Sequence, residues 1–330
     1  MKILVVGAAG MIGRKLCERL ARDGALAGKP IEAAHFVDIV PPSPPPFAAF
    51  PISYEAFDVA APYVAPKLIA GRPDVVYLLA SVVSGEAESD FDKGYAINLD
   101  GARLLFEAIR SEHRLSGGLY RPRLVFTSSI AVFGAPFPET IGDDFFSTPL
   151  TSYGTQKAVT ELLLADYSRR GFFDGVGLRL PTICVRPGPP NRAASGFFSG
   201  IIREPLAGRE ATLPVADTVR HWHASPRSAI GFLLHAAKLD LAELGARRNL
   251  TMPGVSVTVG DEIEALRAVA GEAAVKLIRR QRDETIERIV AGWPSRFDAS
   301  RATRLGFAAE TSFAEIIRVY REDDDVGPVA

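Results

Sequence analysis

Tyr153 and Lys157 stand four residues apart in Tyr153-Gly154-Thr155-Gln156-Lys157. On a helix that spacing puts both side chains on one face. An ammonium beside a phenol favours the phenolate and lowers the tyrosine pKa from its reference near ~10. Such a tyrosinate can take the proton of a substrate alcohol near neutral pH. Upstream, the apolar run Leu124–Phe126 leads into Thr127-Ser128-Ser129. This places a hydroxyl at the carboxyl end of a strand, where open α/β sheets bind their ligands. A Tyr–Lys pair at this spacing is common on exposed helices; its weight comes from the motifs that precede it.

The first of these is Gly7-Ala8-Ala9-Gly10-Met11-Ile12-Gly13, directly after the apolar run Ile3–Val6. A turn that cradles a diphosphate needs glycine for its tightness, for close backbone approach to the phosphates, and for close helix–strand packing. Met11 and Ile12 open the helix, whose first N–H groups and positive dipole end face an anion. Gly7, Gly10, Met11, Ile12 and Gly13 are therefore expected cofactor contacts. The second strand ends in Phe36-Val37-Asp38. Asp38 can accept hydrogen bonds from both adenine-ribose hydroxyls and would repel a 2′-phosphate, and Ile39 rather than Arg follows it. NAD is favoured over NADP.

These groups need a scaffold, and the hydrophobic pattern supplies one. Strands are expected at Ile3–Val6, ending at His35–Asp38, at Ile52–Phe57, Asp74–Ala80, Leu124–Ser128 and Val176–Ile183. Helices are expected at Met11–Asp23, Tyr95–Glu112 and Ser152–Arg169. Near-continuous apolar strands alternating with helices imply a doubly wound parallel (Rossmann) α/β sheet covered on both faces. Pro41–Pro51, with six prolines in eleven residues, is a surface loop of polyproline character. Beyond residue 185 the pattern changes through the Pro/Gly-rich turn Arg186–Arg192. Helices are expected at Ser228–Leu239, Asp261–Ala270 and Ala273–Ile289. The division is residues 1–185 as the nucleotide-binding domain with the catalytic residues. Residues 186–330 form mainly a smaller α/β substrate lobe, with some return to the sheet. Arg321–Ala330 reads as a frayed acidic tail.

With 330 residues, 47% of them hydrophobic and 23% charged, the chain has ample material for a core. Its 38 Lys and Arg against 39 Asp and Glu leave no basic excess for nucleic acid. Cys17 and Cys184 cannot make a disulfide framework or a CxxC metal site, and no HxxH or HxH with a nearby acid suggests a metal. Met1-Lys2 and Ile3–Val6 resemble the start of a signal peptide, but the run breaks at Gly7. No stretch approaches the ~20 apolar residues of a membrane span. A cytoplasmic protein with reduced thiols is expected, with a homo-oligomer left open.

The segments GAAGMIG, TSS before IAVFG, and YGTQK resemble the extended short-chain dehydrogenase/reductase family, over essentially the whole chain. The resemblance implies a catalytic triad of Ser129, Tyr153 and Lys157. Ser129-Ile130-Ala131-Val132-Phe133-Gly134 matches the family's S-x-x-V-Y-G, with Ser128 as the fallback. It also implies cofactor contacts from Asp58 and Val59 after the third strand, and from Asn98 behind the nicotinamide. Ala80 and Pro181 complete the expected set. Where the family often has His-Leu-Ala-Ala, this chain has Leu78-Leu79-Ala80-Ser81. Ser128 and Ser129 stand where dehydratases carry an acidic pair, which disfavours dehydration. The downstream segments LPTICVRPGPPN, SGFFSGIIREPLAG and RHWHASPRSAIGFLLHAA most resemble sugar-acid dehydrogenases. The implied activity is NAD-dependent oxidation of the 2-hydroxyl of a small sugar acid. The alternative is 4-epimerisation of a nucleotide sugar by the same triad.

Arg186, Arg192, Arg220, His221, His223 and Arg227 fall in segments expected to border the pocket. An arginine binds a carboxylate bidentately, and by the resemblance Arg220 is the first choice. Ser84 could bond a substrate hydroxyl or carboxylate, alongside Ser129 and Tyr153. The alternation His221-Trp222-His223 also fits a half-buried strand with structural histidines.

Overall fold

A computed structural model describes residues 1–188 and 194–324. The chain divides into two compact units. The first comprises Met1–Val132, Thr151–Arg179 and Ile230–Leu250; the second comprises Phe133–Leu150, Leu180–Ala229 and the chain from Thr251.

In the first unit β1 (Lys2–Val6) leads through the glycine turn into α1 (Met11–Asp23), then β2 (Ala33–Asp38) and β3 (Ile52–Ala56). The helix buries Leu16, Cys17, Leu20 and Ala21 at helical spacing and stops at Gly24, whose φ of 62° suits glycine. After α2 (Val64–Ile69), β4 (Val75–Leu78) returns to the sheet. α3 (Ser84–Ser89), α4 (Phe91–Tyr95), a π-helical turn (Ala96–Asp100) and α5 (Gly101–Leu115) lead to β5 (Arg123–Ser129). α6 (Ser152–Arg169) and β6 (Asp174–Leu180) follow.

The second unit holds β7 (Thr182–Ile183), α7 (Gly196–Leu206), β8 (Ala211–Leu213) and β9 (Arg220–Ala224). The chain then returns to the first unit with most of α8 (Pro226–Lys238), α9 (Leu241–Leu244) and β10 (Asn249–Thr251), before the second unit resumes. β11 (Val255–Thr258), α10 (Val259–Val275), β12 (Ile278–Arg280), α11 (Glu284–Ala291), α12 (Ser300–Arg304) and α13 (Phe313–Asp323) complete the described chain.

The main sheet has seven strands in the order β10-β6-β5-β4-β1-β2-β3. Pairing is parallel between β1 and β2, β1 and β4, β2 and β3, and β4 and β5. The order reverses at β1, which is the switch point where such sheets bind ligands. Ile3, Leu4, Val5 and Val6 are all buried, as expected of a strand covered on both faces. Leu4, Val6, Val76, Leu78, Leu105, Phe106 and Phe126 share one core. Each such side chain contributes about 1.5–3 kcal/mol by burial. In the second unit Phe198, Ile201, Leu213, Ile263, Leu266 and Ile317 form a separate core. Its three-stranded sheet is β11-β9-β7, and β8 pairs with β12. No helix among the described residues is long and apolar enough to cross a membrane.

Four elements depart from the sequence expectation. The helix expected at Tyr95–Glu112 carries the π-turn 96–100, which turns Asn98 into the interior. The strand expected at Val176–Ile183 is broken at Pro181, which has no N–H to continue a ladder. The stretch Ala273–Ile289 is not one helix: Gly271, at φ 82°, breaks α10, and Ile278–Arg280 leaves the helical pattern to pair with Ala211–Leu213. In the expected frayed tail, Arg321–Asp323 instead completes α13; residues 325–330 lie outside the described chain.

Candidate active site

The glycine turn separates what the protein needs from what a ligand needs. Gly7 has φ 99°, and a Cβ there would lie 2.4 Å from Ala80 N; a Cβ on Gly13 would lie 1.9 Å from Gly7 O. Both are glycine because backbone fills the space. Ala80 is placed by its N–H, which shares Val6 O with that of Leu79. A Cβ on Gly10 would meet only Gly7 O, at 3.6 Å. Nothing in the fold itself therefore demands glycine at this N-cap. No side chain caps α1 and no acid occupies its first turn. An open glycine before uncapped N–H groups of Met11, Ile12 and Gly13 fits a diphosphate. Asp38 ends β2 beside the turn: its carboxylate accepts the Ala9 N–H at 2.9 Å and the Ile39 N–H at 2.7 Å. Two N–H donors leave a carboxylate further lone pairs for ribose hydroxyls. These residues fit NAD.

Other expected cofactor contacts have tasks within the fold. Asp58 accepts the Ala60 N–H at 2.9 Å and so starts a turn. Val59 packs where a Cβ on Gly101 would come within 3.0 Å of it. The Asn98 carboxamide is 2% exposed. It accepts from Ser81 Oγ at 2.8 Å and Val82 N at 2.9 Å, and donates to Gln156 Oε1 at 2.7 Å. Asn98 thus ties the loop after β4 to α6. Ser84 opens α3, with its hydroxyl unpaired among the described residues. Pro181 sits between β6 and β7.

The proposed triad lies on β5 and α6. Thr151 caps α6, its side chain accepting the Gly154 N–H at 3.1 Å, which sets the entry of Tyr153. Lys157 is buried. Its ammonium donates to the Thr127 carbonyl at 3.0 Å and lies 5.5 Å from the centre of the Tyr153 ring and 4.9 Å from that of Phe126. Burial pushes this ammonium down to about 7, opposed by the charge of Glu161 one turn on. Ser129, the last residue of β5, accepts the Ala131 N–H at 3.1 Å. Ser128 instead points to Glu161, donating at 2.6 Å, and Arg179 on β6 clasps the same carboxylate at 2.7–3.1 Å. Glu161 was not singled out from the sequence. Its signal was present: Tyr153, Lys157 and Glu161 repeat at four-residue intervals.

Among the expected substrate cations, Arg220 opens β9. It donates to Ser256 O at 2.8 Å and lies 3.7 Å from Asp261, with its side chain 30% exposed. Arg186 donates to Ile183 O at 3.0 Å and Ser195 Oγ at 3.1 Å. Arg227 is paired with Glu322 and Asp323. Arg192 lies outside the described residues. His221 and His223 are buried, which keeps both below the ordinary histidine value, His223 at about 3. His221 shares a hydrogen bond of 2.6 Å with Thr182 Oγ1. His223 Nε2 lies 3.0 Å from Glu262, whose carboxyl burial raises well above its usual value. Burial disfavours the charged form of both partners.

The profile of the NAD dependent epimerase/dehydratase family matches residues 3–224. A D-erythronate dehydrogenase of Cupriavidus necator is 45% identical over 327 residues, covering 98% of each chain. A D-erythronate dehydrogenase of Haemophilus influenzae is 39% identical over 324 residues, covering 98% of this chain and all of that one. The crystal structure of a nucleoside-diphosphate-sugar epimerase from Agrobacterium tumefaciens superposes with a TM-score of 0.96 at 61% identity, covering 98% of this chain and 94% of that one. The glycine turn, the Tyr–Lys pair on α6 and the matched profile lead to one conclusion: this chain belongs to the NAD dependent epimerase/dehydratase family, the extended short-chain dehydrogenases/reductases.

Proposed function

We propose that this protein oxidises the 2-hydroxyl of a small sugar acid, D-erythronate, to the 2-oxo acid with NAD. The observation that carries the reading is near-full-length similarity to two D-erythronate dehydrogenases. It is joined to a Tyr–Lys pair on one helix. When bound, NAD supplies the hydride acceptor. The chain's own residues hold and move the proton. Tyr153 takes it from the substrate hydroxyl, Ser129 bonds the same oxygen, and Lys157 holds its charge beside the phenol. Arg220 is assigned to the substrate carboxylate and Ser84 to a polar group of the substrate. The buried, unpaired thiols of Cys17 and Cys184 support a cytoplasmic location.

The test is NADH formation with a panel of aldonates. D-erythronate is expected to give stoichiometric NADH, and Tyr153→Phe to lower kcat at least ~10²-fold while leaving NAD binding intact. A near-wild-type kcat in that variant overturns the role of Tyr153. The second reading, nucleotide-sugar epimerisation, is favoured by the high identity to the Agrobacterium protein described as an epimerase. It predicts turnover of a nucleotide sugar without net NADH release.

A further inference from the structure

Glu161 lies one helical turn beyond Lys157 on α6 and is 3% exposed. Three elements converge on it. Arg179 of β6, 8% exposed, donates through Nε to both carboxylate oxygens at 2.9 and 3.1 Å, and through Nη2 at 2.7 Å. Ser128 of β5 donates at 2.6 Å. Asn249 of β10 donates to its backbone carbonyl at 3.4 Å. The side chain thus spans α6, β5 and β6 at the carboxyl end of the sheet.

A buried ion pair contributes little net stability compared with apolar side chains of the same volume. Its presence here needs another reason, and its neighbours supply one. Lys157 is buried between the Phe126 and Tyr153 rings with one neutral acceptor, the Thr127 carbonyl. From α6 it is faced by Tyr153 and Glu161. β5 offers Phe126, the Thr127 carbonyl and the Ser128 hydroxyl, and β6 brings Arg179 through Glu161. Asn98, Gln156 and Thr160 are buried near it and are neutral. Glu161 is the negative charge in this set.

We propose that Glu161 is a positioning residue for the catalytic pair. Held by Arg179 and Ser128, its carboxylate supplies the counter-charge that keeps Lys157 an ammonium, and it anchors the strand end that presents Ser129. The proposal rests on the assignment of Tyr153 and Lys157 as the reacting pair. Arg179 and Ser128 between them donate four hydrogen bonds to this carboxylate. At Lys157 the charge of Glu161 opposes the effect of burial.

The direct test is NMR titration of the Lys157 side chain in isotopically lysine-labelled protein, its signal identified by its loss in Lys157→Arg. In Glu161→Gln the midpoint is expected to fall by about one pH unit, since Arg179 is left unopposed. That variant could also misfold, so Glu161→Gln/Arg179→Met removes both charges and avoids a lone buried cation. There the midpoint is expected to fall by less, but still to fall. The alkaline limb of the kcat profile should move down with it, with NAD affinity within about two-fold. A purely structural role predicts a wild-type midpoint in whichever variant folds, and that result overturns the proposal. If the wild-type protein oxidises no aldonate, the activity assignment fails while the Lys157 titration still decides the role of Glu161.

Discussion

The Lys157 ammonium lies 5.5 Å from the centre of the Tyr153 ring and donates to the Thr127 carbonyl at 3.0 Å. The helix brings the two side chains together, and burial loads the cation with a desolvation cost. This cost has a sign that stability measurements can read. The folded value, about 7, lies below the unfolded value of 10.5, so the unfolded chain binds more protons between those limits. Stability attributable to this group therefore rises as pH climbs from about 7 towards 10.5, and is lowest below 7. Lys157→Met should raise the Tm of the cofactor-free protein most below about pH 7 and least near about pH 10. A gain independent of pH would contradict the argument.

Asp38 is held against the glycine turn by the Ala9 N–H. Removing the carboxylate removes the expected ribose acceptor and the repulsion of a 2′-phosphate together. Asp38→Ala should weaken NAD binding by about ten-fold and narrow the preference over NADP, the scale of one charged hydrogen bond. Dissociation constants for both cofactors check this; a wild-type preference for NADP would refute it.

Glu262 lies 3.0 Å from His223 Nε2, both side chains buried, in the second unit. Burial raises the folded carboxyl above its unfolded value, so its favourable contribution is complete below the unfolded pKa and is lost as pH rises towards the folded one. Glu262→Gln keeps a donor for His223 and has nothing to ionise. Its Tm relative to wild type should increase from roughly pH 5 to roughly pH 8, above the unfolded carboxyl value. A constant difference across that interval would show that Glu262 is charged in the fold.

Arg220 opens β9 with one donor used on Ser256 O and part of its side chain exposed. If it binds the substrate carboxylate, Arg220→Met should raise KM for the sugar acid by ~10²-fold or more and leave NAD affinity nearly unchanged. An unchanged KM would move the role to another cation, Arg186 first.

What the sequence determined by itself was local. The glycine turn, the strand ending at Asp38, and the four-residue spacing of Tyr153 and Lys157 are read from near neighbours, because turn geometry and helical period act over a few residues. The helices expected at about Met11–Asp23 and at Ser152–Arg169 are found with those bounds. Tertiary structure decided everything that joins distant segments. The π-turn that turns Asn98 inward, and the bond from Asn98 to Gln156, link residues 58 positions apart. Ile278–Arg280 became a strand because Ala211–Leu213 offers it a partner, which no local periodicity records. The Glu161–Arg179–Ser128 cluster shows the same limit most clearly. Each of these side chains reads as ordinary surface chemistry in the sequence; only when α6 packs across β5 and β6 are they drawn out of water together, with Arg179 and Ser128 holding the Glu161 carboxylate one helical turn from Lys157.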